Sequence, residues 1–202
     1  MLNILLDFDG TLFDTDTAHE SAYNSVFNQN NLGKLTSYEE IKGIRTKDVF
    51  ARYVDNDLAG RLAQKKTDHY LENVENIKSL VDFSLLQACK EKSNRLFIVS
   101  GGSKISIYSL LKFHHQIHLF DGIVTSEDYN QSKPHPEPFL KCIKIFNIKG
   151  EVIGVEDSTA GIQSLKSANI LAIGVHNECV RDISDIYYDD INHFLKSYIL
   201  NE

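Results

Sequence analysis

The sequence predicts an α/β fold, a doubly wound and mainly parallel sheet that carries an inserted helical lobe. Three observations predict it. Short β-rich apolar runs recur at Leu2–Leu6, Leu96–Val99, Gly122–Thr125, Val152–Val155 and Leu171–Val175. Segments with helical spacing, Ser103–Phe113, Glu137–Phe146 and Thr159–Ala168, alternate with the later runs, as right-handed crossovers between parallel strands require. The stretch from Thr15 to about Leu80 holds no convincing strand.

The elements follow in order. LNILL reads as a buried first strand that emerges into Asp7, Phe8, Asp9 and Gly10. An amphipathic helix is expected over Thr17–Asn28. Ser37 with Glu40 three residues later reads as a capping box, and Asp57–Leu80 as a long polar-rich helical stretch. Leu85–Lys92 is expected to be the helix leading into the second strand. The tail SDIYYDDINHFLKSYI reads as a short edge strand followed by a closing helix. The expected division is a core of residues 1–14 and 81–202 with a helical lobe of residues 15–80.

The 202 residues suffice for one sizeable core with a small second lobe. With 42% hydrophobic and 24% charged residues the composition is that of an ordinary folded protein. A net charge of -7 argues against nucleic acid as a partner, while leaving room for a local cationic pocket. Cys89, Cys142 and Cys179 are odd in number and far apart, as expected of free thiols in a reducing compartment. The first apolar run has no basic segment ahead of it and meets Asp7 after six residues, so neither a signal peptide nor a membrane span is expected. A cytoplasmic protein, monomeric or weakly dimeric, is the default expectation.

In an open parallel sheet, ligands bind beyond the carboxyl ends of the strands. The unusual polar residues fall at those ends four times: Asp7 and Asp9 after the first strand, Ser100 with Gly101 and Gly102 after the second, Lys133 after the third, and Glu156 with Asp157 after the fourth. Four carboxylates sharing a small site repel one another unless a cation is present. Hard oxygen donors with several waters and a substrate phosphate suit Mg²⁺. Lys133, Ser100 and the Gly101 and Gly102 amides add donors for phosphate oxygens. The pattern points to phosphoryl chemistry.

Four segments, DFDGTLFD, IVSGG, SKPHPEPF and VIGVEDSTAGIQSLKSA, resemble in order the motifs of the haloacid dehalogenase superfamily of phosphohydrolases. The resemblance covers nearly the whole chain and implies a Rossmann-like core with an inserted helical cap domain. It implies that Asp7 is the nucleophile, forming an aspartyl-phosphate, and that Asp9 is the general acid and then base. Gly10 would let the chain turn, and Thr11 would hydrogen-bond nearby backbone or hold Asp9. The resemblance further implies that Mg²⁺ is held by Asp7, by the backbone carbonyl of Asp9 and by Asp157, with Glu156 as a further ligand through water or a partner for Lys133. Ser100 and Gly101 would bind the phosphate, and Lys133 would stabilise charge developing on it. Dehalogenation is disfavoured, since a halide leaving group needs neither the second acid nor the metal.

The cap is expected to close over the site and read the leaving group of a small-molecule phosphate ester, of sugar phosphate or phosphoglycolate type. His19, Arg45 and Lys47 are the candidate substrate contacts, with a solvated helix face as their bland alternative. A phosphatase is the favoured reading. A β-phosphoglucomutase-like mutase shares every core motif, and the DTDTAH run leans towards it. A binder that lost turnover is disfavoured by Asp7, Asp9, Lys133 and Asp157 together. His114, His115 and His118 read as helix-end residues, not as metal ligands.

Overall fold

The computed structural model describes residues 1–33, 35 and 37–201. Six parallel strands form one sheet in the order β3-β2-β1-β4-β5-β6. They are β1 (Asn3–Leu6), β2 (Arg95–Val99), β3 (Gly122–Val124), β4 (Val152–Glu156), β5 (Leu171–Val175) and β6 (Ile186–Tyr188). β1 lies between β2 and β4, with Leu6 level with Ile98 on one side and Val155 on the other. The chain therefore builds outward from β1 in one direction and then in the other, which opens a crevice at the β1/β4 boundary.

Side chains of one strand alternate between two buried faces, which is why the strands are continuously apolar. Ile4 and Leu6 join Ile98, Val155 and Ile173 on the face covered by α4 (Phe83–Glu91), α5 (Lys104–Phe113) and α8 (Ile191–Phe194). Leu5 joins Phe97, Val99 and Ala172 on the other, covered by α6 (Glu137–Ile145) and α7 (Thr159–Ser167). The helices α1 (Asp16–Gln29), α2 (Thr46–Phe50) and α3 (Asn56–Leu71) surround a third cluster that includes Tyr23, Phe27, Phe50 and Leu62. Among the described residues no helix is long and apolar enough to cross a membrane.

Two expectations need correction. Ser37 and Glu40 open no capped α-helix: Glu39–Ile41 is a single 3₁₀ turn with no side-chain cap, and Gly43 at φ +77° ends it. The capped start lies at Asp55, whose carboxylate accepts from the Asp57 and Leu58 amides. The helix expected over Asp57–Leu80 ends at Leu71, and a 3₁₀ turn follows at Val74–Asn76. Asn73 and Asn76 favour that break because their side chains compete for backbone hydrogen bonds. Beyond it the chain returns alongside the segment after β1, with Asp14 N donating to Lys78 O and Leu80 N to Leu12 O. The tail closes as expected, with β6 followed by α8, which runs on into a π-helical stretch at Leu195–Leu200.

Candidate active site

The crevice brings together residues from all four strand ends. The Asp7 amide donates to Val155 O, continuing the β1/β4 pairing by one residue and burying Asp7 at 3% exposure. Gly10 then turns the chain at φ +77°, where an added Cβ would lie 2.1 Å from Asp157 Oδ2. Only glycine allows that turn so close to the acid.

Lys133 is the hub. Its Nζ donates to Asp7 Oδ1 at 2.6 Å, to Glu156 Oε1 at 2.5 Å and to Val99 O at 2.9 Å, and it is 1% exposed. Burial works against its charge, but the two carboxylates outweigh burial and raise its pKa. The other Glu156 oxygen accepts from Ser158 Oγ at 3.0 Å. Gly161 makes room for this carboxylate, since a Cβ there would sit 1.9 Å from its Cδ. Glu156 is thus a partner for Lys133.

Asp157 holds the remaining corner. Thr11 Oγ1 donates to its Oδ1 at 3.3 Å, so Thr11 secures Asp157 and not Asp9 or the backbone. Oxygens of Asp7, Glu156 and Asp157 lie within 4.8 Å of one another, all buried. Burial and the neighbouring Glu156 hold the Asp7 carboxyl well above its ordinary value, with Lys133 only partly opposing. Burial likewise pushes Asp157 up to about 7. Crowded, desolvated carboxylates with raised pKa values are what a hard cation would relieve, so the oxygen set fits one. Among the described residues the histidines form no comparable cluster.

Asp9 faces the same cavity as Asp7 but is held from the helical side. His19 Nε2 lies 2.8 Å from Asp9 Oδ1, and Lys66 Nζ touches His19 Nδ1. These contacts fix the tautomer: the ammonium donates to Nδ1, and Nε2–H donates to Asp9. Burial acts to raise the Asp9 pKa, yet His19 and Lys66 outweigh it and hold it at about 2. Ser100 Oγ also reaches Asp9 Oδ2, at 3.3 Å, and accepts from the Gly102 amide. Burial lowers the Lys66 pKa to about 7, and its ammonium sits over the rings of Tyr23 and Tyr70 at 4.9 and 5.3 Å. His19 stacks on Tyr70 at 4.4 Å.

The cavity between these residues has a volume of about 30 Å³. Asp7, Asp9, Gly101 and Gly102 form its floor, and Tyr23, Tyr38, Ile41, Ile44 and Thr46 are among its roof. Of the three substrate candidates, His19 lines it, whereas Arg45 and Lys47 line a separate groove. Arg45 is engaged elsewhere: it pairs with Asp48 at 2.8 and 3.0 Å and donates to Tyr129 O and Asn130 O at 3.0 and 2.9 Å. Lys47 is exposed.

Two lysines of the site escaped the sequence reading. Lys66 stands on the stripe Ala59, Leu62, Lys66, Tyr70, the buried face of α3, so a cation at an apolar helical position was its signal. Lys42 is buried with Nζ 2.6 Å from both Asp157 Oδ2 and Asp16 Oδ2. No pattern around it marked it out.

The family model described as haloacid dehalogenase-like hydrolase matches residues 4–175. The chain belongs to that family. The haloacid dehalogenase-like chain is 27% identical over 203 residues to the pyrophosphatase PpaX of Oceanobacillus iheyensis, covering 91% of this chain and 94% of that protein. It is 25% identical over 180 residues to the fructose-1-phosphate phosphatase YqaB of Escherichia coli, covering 85% and 95%. It is also 25% identical over 193 residues to the chloroplastic protein SUPPRESSOR OF QUENCHING 1 of Arabidopsis thaliana, covering 85% of this chain but only 17% of that much longer protein. Among solved structures, the β-phosphoglucomutase of Clostridium difficile superposes with a TM-score of 0.85 at 26% identity, covering 100% of this chain and 96% of that one. The parallel six-stranded core with flanking helices is shared with this hydrolase fold.

Proposed function

We propose that this haloacid dehalogenase-like hydrolase is a Mg²⁺-dependent phosphatase of small phosphate monoesters, working through an aspartyl-phosphate at Asp7. The observation that carries the reading is the pairing of Asp7, held by Lys133, with Asp9 across one small cavity. An Asp7 carboxylate oxygen attacks phosphorus as the bond to the leaving oxygen breaks, and Asp9 gives that oxygen a proton. Asp9 then takes a proton from water, which attacks the aspartyl-phosphate and releases phosphate with the Asp7 carboxylate restored. In the arrangement described, Asp9 is ionised and set for the second step. A phosphate dianion arriving beside it opposes its charge and raises its pKa towards the first. Lys133, Ser100 and the Gly101 amide stabilise charge on the transferring group.

Asp7, the Asp9 carbonyl and Asp157 would hold the metal, with Glu156 supporting through Lys133 or water. The ion would supply charge neutralisation between phosphate and carboxylates.

Residues 15–80 act as the cap in this reading. The roof offers the hydroxyls of Tyr23, Tyr38 and Thr46 beside apolar Ile41 and Ile44, while the His19 imidazole and the Lys66 ammonium that also line the cavity are spent on Asp9, Lys66 through His19. That lining suits a neutral, hydroxylated leaving group better than a second anion, which favours sugar phosphates over phosphoglycolate or pyrophosphate. A mutase is the second reading, favoured by the grip of His19 and Lys66 on Asp9: an acid–base residue controlled by the closing lobe can be withheld from water.

Phosphate release across a broad panel of phosphorylated metabolites, with Asp7→Asn as the blank, tests the proposal. One preferred sugar phosphate, silenced by EDTA and restored by Mg²⁺, supports it. Full activity in chelator removes the metal from the mechanism. Conversion of β-glucose 1-phosphate to the 6-phosphate without phosphate release establishes the mutase instead.

A further inference from the structure

Lys42 occupies an unusual place for a residue of the helical lobe. It follows the Glu39–Ile41 turn, is only 7% exposed, and inserts beside Gly10 until its Nζ meets Asp157 Oδ2 at 2.6 Å. Thr11 already takes the other Asp157 oxygen. Both oxygens of this candidate metal ligand are therefore engaged, one of them by a cation from the lobe.

Lys42 also has a second berth. Asp16 Oδ2 lies 2.6 Å from the same Nζ, and its side chain is 41% exposed. Asp16 opens onto a vestibule of about 520 Å³ whose walls include Asp14, Glu39 and Glu178. Acidic walls concentrate cations at its mouth, and Lys42 stands at its inner end. At the same spot, Asn177 Nδ2 bridges core and lobe, donating to Asp157 O at 3.0 Å and to Glu39 Oε1 at 2.6 Å.

We propose that Lys42 is a tethered cation that competes with the divalent ion for Asp157, so that ion uptake and seating of the helical lobe oppose each other. The inference rests on the metal reading above. An ion that uses Asp157 Oδ2 must displace the ammonium, which then stays with Asp16 as the lobe that carries both withdraws. Lys42 thereby favours loading of the ion while the lobe is lifted, ahead of closure.

Titration calorimetry of the full chain with Mg²⁺ and Mn²⁺ tests this. Lys42→Met should bind the ion about tenfold or more tightly, the scale of a charged hydrogen bond removed from one competitor. Lys42→Arg should bind like wild type. Asp16→Asn, which leaves Lys42 no other berth, should weaken binding in the wild-type background and do so by less in Lys42→Met, where only its share of the vestibule charge is lost. Small-angle scattering should show wild type expanding on saturation with Mg²⁺ while Lys42→Met does not.

Equal or weaker binding by Lys42→Met, or a scattering profile of wild type that ignores the ion, overturns the proposal. Lys42→Gln, which keeps most of the stem, gives the same reading if Lys42→Met does not fold. Asp157→Asn separates the two levels. If it abolishes binding while Lys42→Met changes nothing, the Lys42 competition fails and the metal site stands. If Asp157→Asn binds like wild type, the metal site and the competition fail together.

Discussion

Lys133 Nζ, from the turn ahead of α6, sits 2.6 Å from Asp7 Oδ1 just past β1, across 126 residues of chain. The same ammonium holds Glu156 at 2.5 Å, so one cation neutralises the proposed nucleophile and the acid next to the proposed metal ligand. Removing it leaves two buried carboxylates facing each other.

Lys133→Met is therefore expected to act twice. Turnover should fall about 10²- to 10³-fold, the usual effect of deleting a preorganised charge. Stability should fall by about 3 to 5 kcal/mol, because an uncompensated buried charge remains. Steady-state kinetics and urea unfolding of the same variant measure both.

Asp7→Asn should separate the two effects. As the nucleophile, its loss should cut phosphate release by roughly 10⁴-fold or more. Stability should hold or rise, because burial and Glu156 already disfavour the Asp7 carboxylate. A thermal melt with a lowered Tm would show instead that Asp7 braces the fold.

Lys66 makes a prediction in pH. Burial lowers its pKa from 10.5 to about 7. Between those values the unfolded chain binds a proton that the folded chain does not, so stability rises with pH across that window. Below 7 the cost of burying the ammonium is present in full. Lys66→Met should thus stabilise the protein by up to about 5 kcal/mol at pH 6, and by progressively less as pH rises from 7 to 10.5. Melts at pH 6 and pH 9 check the sign, and a fall in turnover would register the loss of the His19 brace.

Gly161→Ala tests the packing beneath the site. The new methyl would press on the Glu156 carboxylate and push it away from Lys133. A loss of about 1 to 3 kcal/mol is expected from overpacking, together with reduced turnover. Wild-type activity in this variant would show that Glu156 is not needed by Lys133.

The strands and the four rim motifs were legible because their signals are local: a β-rich run ends, and a carboxylate, serine or lysine follows at once. The lobe was less legible. Ser37 and Glu40 carry the letters of a capping box, but Gly43 ends the turn before a helix can form. Arg45 looked like a substrate contact from its charge, whereas core carbonyls at Tyr129 and Asn130 claim it. Those carbonyls lie more than eighty positions away and leave no trace in the local pattern. Lys42 is the extreme case, since its partner Asp157 is recognisable only once the lobe sits on the sheet. What the sequence concealed were contacts between lobe and core.

The cavity over Asp7 has a consequence for tempo. About 30 Å³ has room for a water or two and none for a sugar phosphate. With residues 15–80 acting as the proposed cap, substrate entry and product release each call for the cap to lift, so each cycle of the proposed reaction includes two strokes through solvent. Viscosity then enters the rate law beside chemistry. Glycerol or sucrose added to the assay would slow a lid-limited enzyme in proportion to the thickness of the medium.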